Sequence, residues 1–451
     1  MVSQSHSLEE KRHLQTLKVS DNRRFLVHAD GSPFFYLGDT AWELFHRLDR
    51  AESDYFLQER ARQGFTVIQA VVLAEHEYSE PNAYGHLPLV GNDPTQPVEA
   101  YFEHVDWIVN RAEQLGLRIA MLPTWGDKWN KAWGEGPEIF TSENARTFGE
   151  FLGKRYAEKP IIWVLGGDRP VITDSHKAVL RAMAEGLHEG DGGAHLRTLH
   201  PPGSYGSSLY FPDEEWLDFH MYQSGHSRNK ANYECIEGDY ALTPTKPCMD
   251  AEPGYEDHPA GFDIANGYLE HYDVRKSLYW ALFAGAFGHT YGCHPMWQFW
   301  EPSRNPINVP RTRWQDALHF PGAEQQHHAK DLLLSRPFLT RIPDQSLVVS
   351  EIGAGTHHIQ ATRDTDGSYA LIYIALSKPV QVDTDKLSGQ TLTVYWFDPR
   401  TGTSTLFNTV ERGGVHTFTP PGGGLDWVFV LDDAARNYAR PGTVVYSSSS
   451  A

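Results

Sequence analysis

From about residue 23 to 335, short apolar runs alternate with segments of helical period, the pattern of repeated β/α units. The entry reads as a hairpin, RFLVHADGSPFFYLG, with Asp30 and Gly31 at the turn. Its second strand ends at Gly38 and Asp39, after which Ser53 and Asp54 are placed to cap a helix that stops at Gly64. TVIQAVVL is the second strand. The clearest helix is VEAYFEHVDWIVNRAEQLG, where Val98, Tyr101, Phe102, Val105, Ile108, Val109 and Ala112 keep the i, i+3, i+4, i+7 spacing and Gly116 ends it. RIAMLP and IIWVLGGD are strands three and four, separated by a helix marked by Ala145, Phe148, Leu152 and Tyr156. HLRTL, LDFHMY, KPCMDAE and FGHTYG complete a set of eight, followed by a closing helix around AEQQHHAKDLLLS. Eight such runs predict a (β/α)8 TIM barrel over 23–338; a doubly wound sheet would want fewer strands and a Gly-rich first turn.

After about residue 341 the period changes to two. SYALIYIAL, TLTVYWFDP and DWVFVLD, separated by the turns DPRTG and PPGGG, predict a small antiparallel β-sandwich over 341–436. The connection around RIPDQS is too short for independent tumbling, so the two units are expected to share an apolar interface. The serine-rich tail, YSSSSA, is expected to fray.

The 451 residues carry 39 basic and 58 acidic side chains, a formal charge of −19, which argues against nucleic acid or an anionic membrane as partner. Cys235, Cys248 and Cys293 show no C-x-x-C spacing, so neither a disulfide framework nor a cysteine-based metal or redox site is expected. Glu9, Glu10 and Lys11 stand where a secretory leader would be apolar, and no run reaches the length of a membrane span, so a soluble, cytoplasmic protein is expected. G-x-G-x-x-G, G-x-x-x-x-G-K-[ST] and G-x-S-x-G are absent, which removes the usual signals for nucleotide binding and serine hydrolysis. The 13 Trp are the compositional feature that changes the picture, because rigid aromatic faces suit sugar rings.

A barrel puts its reactive groups at the carboxyl ends of its strands. Those positions hold Asp39, then Glu75 and Glu77, Trp125, Asp168, His200, His220 and Tyr222, Glu252, and Tyr291 with His294. Asp168 in WVLGGDRP and Glu252 in CMDAEPGYE each end an apolar strand, where a charge without a task is costly. Two carboxyl groups facing one cleft are what glycoside hydrolysis needs: one protonates the leaving oxygen, the other attacks the anomeric carbon or activates water. The bland alternative for Asp168 is a local ion pair with Arg169.

At these residues the chain resembles the apiosidase-like glycoside hydrolases, a TIM-barrel catalytic domain followed by a sandwich labelled collagen-binding. The resemblance runs in order along nearly the whole chain through FFYLGDTAWELF, PNAYGHLPL, WGDKW, WVLGGD, QSGH, AEPGYE, GHTYGCHPMWQFW and FDPRTG. It implies Asp168 as general acid/base and Glu252 as nucleophile, at the strand-four and strand-seven places used by the large retaining clan of barrel glycosidases. That clan usually ends strand four with Asn-Glu, whereas this chain has Gly167 and Asp168; an acid one methylene shorter leaves retaining and inverting geometries both open. Around the pair, Tyr222 and His220 are expected to hydrogen-bond Glu252 and hold it ionised, and Asp39, Gln223, His226, Tyr291 and His294 to meet the sugar. Trp42, Trp125, Trp129 and Trp297 are the expected subsite walls.

Two rival classes remain. The 23 His raise a metal-dependent barrel hydrolase, but that class begins with His-x-His after strand one, where this chain has GDTAW, and the His pairs at 327–328 and 357–358 fall on a surface helix and a sandwich strand. No metal and no cofactor is expected. The other rival is a carbohydrate-binding protein without turnover. The expected partner in either sugar reading is an oligosaccharide or glycoside, and an acidic chain expected to be cytoplasmic would rarely meet collagen.

Overall fold

The computed structural model describes residues 14–444. The charged N-terminal stretch and the serine-rich tail therefore lie outside the described residues. The chain enters through a three-stranded antiparallel sheet, β1 (Leu17–Val19), β2 (Leu26–His28) and β3 (Pro33–Phe34). The Asp30-Gly31 turn joins the last two, with Gly31 at φ +86° and Asp30 accepting from the amide of Ser32 at 2.9 Å.

The barrel strands are β4 (Tyr36–Thr40), β5 (Val67–Leu73), β6 (Arg118–Thr124), β7 (Ile161–Gly166), β8 (Arg197–His200), β9 (His220–Tyr222), β10 (Cys248–Asp250) and β11 (Gly288–Tyr291). They form one parallel sheet in the order β8-β7-β6-β5-β4-β11-β10-β9. Among the described residues no ladder joins the two ends of that order. The seam between β8 and β9 is held instead by Asp218 N–H donating to Arg197 O at 2.8 Å, Arg197 N–H to Asp218 Oδ2 at 2.7 Å and Thr198 Oγ1–H to Phe219 O at 2.6 Å. The outer ring contains α1 (Leu44–Arg47), α2 (Arg50–Arg62), α3 (Glu99–Gln114), α4 (Ser142–Tyr156), α5 (Asp174–Asp191), α6 (Asn232–Tyr240), α7 (His271–Phe283), α8 (His294–Trp297), α9 (Trp314–Ala317) and α10 (Pro321–Leu334). The cap of α2 is Asp49, not Ser53: Asp49 and Glu52 form a reciprocal capping box, and Ser53 is buried inside the first turn. No described helix is long and apolar enough to cross a membrane.

The C-terminal unit is a six-stranded antiparallel sheet, faced by a two-stranded one. In chain order its strands are β12 (Arg341–Pro343), β13 (Ile359–Asp364), β14 (Tyr369–Ile374), β15 (Val380–Asp383), β16 (Thr391–Asp398), β17 (Thr403–Glu411), β18 (Val415–Phe418) and β19 (Trp427–Asp433). Its central strands are buried on both faces. Tyr369, Leu371, Tyr373, Val428 and Val430 pack into the barrel's core, while Ala370, Ile372, Ile374, Phe429 and Leu431 fill the sandwich. This double burial is why those strands read as nearly continuous apolar runs.

Across the contact, Tyr279 of α7 stacks on Tyr373 at 4.9 Å, and Arg275 donates to both oxygens of Asp426 at 2.8 and 2.7 Å. Tyr373 donates to the same carboxylate at 3.0 Å. One member of each histidine pair sits at this contact rather than on a free surface or a strand. His358 precedes β13 and stacks on Tyr233 of α6 at 3.6 Å, and His328 of α10 abuts Gly402.

The Arg275 and Asp426 side chains are 2% and 0% exposed, so Asp426→Ala leaves a buried guanidinium without its counterion. It is expected to destabilise the protein by about 3–5 kcal/mol. Calorimetry should show one transition moved down as a whole; a barrel transition left in place while the sandwich melts separately would contradict the shared core.

Candidate active site

The carboxyl ends of the barrel strands open on a cavity of about 970 Å³, lined by Trp42, Trp125, Asp168, Gln223, His226, Glu252 and Trp297 among the residues singled out from the sequence. Trp42 and Trp125 pack at 5.1 Å and enclose His200 between them, at 5.2 and 5.9 Å.

Asp168 reaches the cavity by way of a backbone that L side chains rarely adopt. After β7, Gly166, Gly167 and Asp168 have φ of +94°, +99° and +55°. Gly167 donates to His200 O at 3.1 Å and accepts from Gly126 at 3.0 Å, so the loop is tied to the ends of β8 and β6 at once. A Cβ on Gly167 would come within 2.6 Å of Gly126 N, which makes glycine obligatory. Arg169, 1% exposed, donates to Asp168 Oδ2 at 3.0 Å and to Glu75 Oε1, while its guanidinium lies 4.7 Å from the ring of Trp133. The local pair with Arg169 is therefore real, and it holds a carboxyl that still faces the cavity. Burial first, and then the charge of Glu252, raise the Asp168 pKa to about 6 against the opposing pull of Arg169 and His200.

Glu252, 5% exposed after β10, meets the opposite environment. Burial works against its ionised form, but two imidazoles outweigh it: His200 Nε2 lies 2.9 Å from Oε2, and His226 Nε2 lies 3.5 Å from Oε1. Tyr255 N–H donates to His226 Nδ1 at 3.3 Å, which puts the proton of the neutral ring on Nε2, facing the carboxylate. The Glu252 pKa is held below the ordinary glutamate range. One cavity thus biases one carboxyl toward its ionised form and its neighbour toward the protonated one, the arrangement that separates a nucleophile from an acid.

The structure assigns the ionising role differently from the sequence. His220 and Tyr222 do not bond Glu252; His220 Nδ1 pairs with Ser207 Oγ at 3.2 Å, and Tyr222 donates to Ser204 O at 2.7 Å. Asp39, 0% exposed, accepts from Arg60 at 2.6 Å, and Tyr291 donates to Glu256 at 2.6 Å. Both lie outside the cavity lining, as do Trp129 and His294. Trp129 supports the Asp168 loop by donating to Gly166 O at 3.3 Å. His294 bonds Asn308 O at 2.8 Å and accepts from Trp297 at 3.3 Å, which shapes the wall from behind. The lining further includes Glu43, Glu75, Trp133, Tyr255, His258 and Phe262, none of which received a role from the sequence. Among the described residues no group of three or more His, Cys, Asp or Glu is arranged to hold a metal ion.

A family model described as "Apiosidase-like, catalytic domain" matches residues 20–340, and one described as "Putative collagen-binding domain of a collagenase" matches residues 342–432. Among solved structures, one titled "Glycoside hydrolase" is 33% identical, covers 94% of this chain and 98% of its own, and superposes with a TM-score of 0.86. A glycoside hydrolase family 5 protein from Bacteroides vulgatus is 32% identical, with 96% of each chain covered and a TM-score of 0.87. No curated protein matches the chain.

Gly167→Ala is expected to cost about 1–3 kcal/mol through its φ, with the 2.6 Å approach to Gly126 N adding to this. Gly238→Ala, in α6 with nothing within 4 Å of the new Cβ, should be neutral or stabilising. Urea unfolding of the two variants checks this; equal midpoints would mean that the loop is not held as described.

Proposed function

The chain belongs to the apiosidase-like family of glycoside hydrolases, and from that premise we propose that it cleaves an O-glycosidic bond of a plant-derived glycoside by a retaining mechanism. Glu252 attacks the anomeric carbon. Asp168 protonates the departing oxygen and then, as a carboxylate, deprotonates the water that releases the sugar. The observation that carries this reading is the opposite bias on two carboxyls of one cavity, Asp168 raised and Glu252 lowered. The indoles of Trp42, Trp125 and Trp297 are the apolar walls against which the ring faces rest. We assign catalysis to the barrel, 23–338, and to the sandwich, 341–436, the support of helix α7, whose face it covers. Because the matching family model is described as apiosidase-like, apiosides are the first substrates to try, and a panel of aryl glycosides and pectic oligosaccharides that includes them tests that choice.

Glu252→Gln should abolish turnover with the fold intact. Asp168→Asn should lower kcat on unactivated substrates by about 10²–10⁴-fold, and azide should partly rescue Asp168→Ala on an aryl glycoside, since that leaving group needs no proton. NMR of the first-formed sugar should show retained anomeric configuration; inversion would make Glu252 a base rather than a nucleophile.

The pH dependence follows from the signs. The active form has Glu252 ionised and Asp168 protonated. Activity rises on the acid side as Glu252 loses its proton and falls as Asp168 loses its own, with the falling limb near the raised value of about 6. With an activated aryl glycoside and glycosylation limiting, kcat/KM of Asp168→Asn should lose the falling limb. Its survival unchanged would assign the acid elsewhere.

A further inference from the structure

Glu43 follows Trp42, three residues past β4, and stands at the N-cap of α1, yet its side chain caps nothing. It lines the cavity, is 1% exposed, and its Oε2 has no hydrogen-bond partner. The surrounding charged groups are engaged elsewhere. Arg47 donates to Gln298 O at 2.7 Å and pairs with Glu77 at 3.1 Å. His76 lies between Glu75 at 3.4 Å and Glu135 at 3.0 Å, and Glu75 is bonded by Arg169. A buried carboxyl left in this condition costs free energy in either protonation state.

Two other cavity-lining groups share that condition: Trp125 Nε1 and Gln223 Oε1 are each buried and unpartnered. An indole N–H donates only, an amide oxygen accepts only, and a neutral carboxyl does both. That mixture matches a ring of hydroxyls, each of which donates and accepts. It does not match a carboxylate, which only accepts, and Glu43, Glu75, Asp168 and Glu252 outnumber the single lysine, Lys230, among the groups that line the same cavity.

We propose that Glu43 binds a ring hydroxyl of the sugar held in the cavity and that this sugar is uncharged, so that glycosides of neutral sugars are cleaved and glycuronides rejected. This rests on the glycosidase reading above. Burial, with Glu75 and Glu77 near by, raises the Glu43 carboxyl to about 7 against the pull of Arg47 and His76, so that below that pH it enters the complex neutral and able to donate.

The test compares Glu43→Leu and Glu43→Gln on 4-nitrophenyl glycosides of neutral pentoses and hexoses, with 4-nitrophenyl glucuronide and galacturonide alongside. Glu43→Leu fills the space without the polar group. Its unfolding midpoint should equal or exceed that of the wild type while kcat/KM falls about tenfold or more. Glu43→Gln keeps a neutral donor and acceptor and should stay within about threefold of the wild type. Unchanged kcat/KM in Glu43→Leu, equal loss in both variants, or preference for a glycuronide would each overturn the proposal. So would a markedly lowered midpoint in Glu43→Leu, which needs no substrate to detect and would mean that the carboxyl is satisfied within the fold. Glu252→Gln separates the two levels: if it stays fully active, the glycosidase assignment fails; if it is dead while Glu43→Leu is normal, only the role of Glu43 fails.

Discussion

Several carboxyl groups are buried together at one end of a barrel, and the way each is treated there organises the rest of the site. Mutual repulsion at low dielectric prevents them from sharing one protonation state. Glu252 lies against two imidazoles, those of His200 and His226. Asp168 is given one side of a guanidinium that Glu75 also claims. The asymmetry needs His200, Asp168 and Glu252 brought to one point from three strands. The left-handed Gly166-Gly167-Asp168 turn, bonded to the ends of both neighbouring strands, does that work for Asp168.

The second unit enters this picture through α7. That helix lies between β10, which leads into Glu252, and the sheet containing β14 and β19, and nearly every residue from Asp273 to Phe283 is buried. Without the sheet, Tyr279, Trp280 and Arg275 would face water with their apolar area and counterion lost. The sandwich is therefore part of what fixes the barrel wall on the nucleophile's side, a contribution that requires no ligand of its own.

Much of this was legible in the sequence, and the misses have one physical origin. Strand order, the strand-end places of Asp168 and Glu252 and the doubly buried sandwich strands follow from apolar runs and turn residues. Which side of a strand faces the cavity does not, because both faces of a parallel barrel strand are buried and alternation is erased. His220 and Tyr222, two residues apart, share one face of β9, and it is the face turned to Ser207, Ser204 and α6. Asp39 and Tyr291 likewise face the buried Arg60 of α2. His200 stood among the strand-end residues without a role, since nothing local marks its approach to Glu252 across the barrel. Glu43 was hidden for another reason: a carboxyl three residues past a strand end, at the start of a short helix, reads as a cap.

The seam of the barrel gains meaning from where it lies. β8 and β9 are joined by a side-chain hydroxyl, a carboxylate and a single main-chain bond rather than a ladder, and His200 stands on one side of that join while Glu252 and His226 stand on the other. The circumference of the barrel is thus closed at its weakest joint by the same contact that keeps the carboxylate charged. Any widening of the seam withdraws an imidazole from Glu252 and raises its proton affinity, so the ring's closure and the electrostatics of its mouth are two readings of one coordinate.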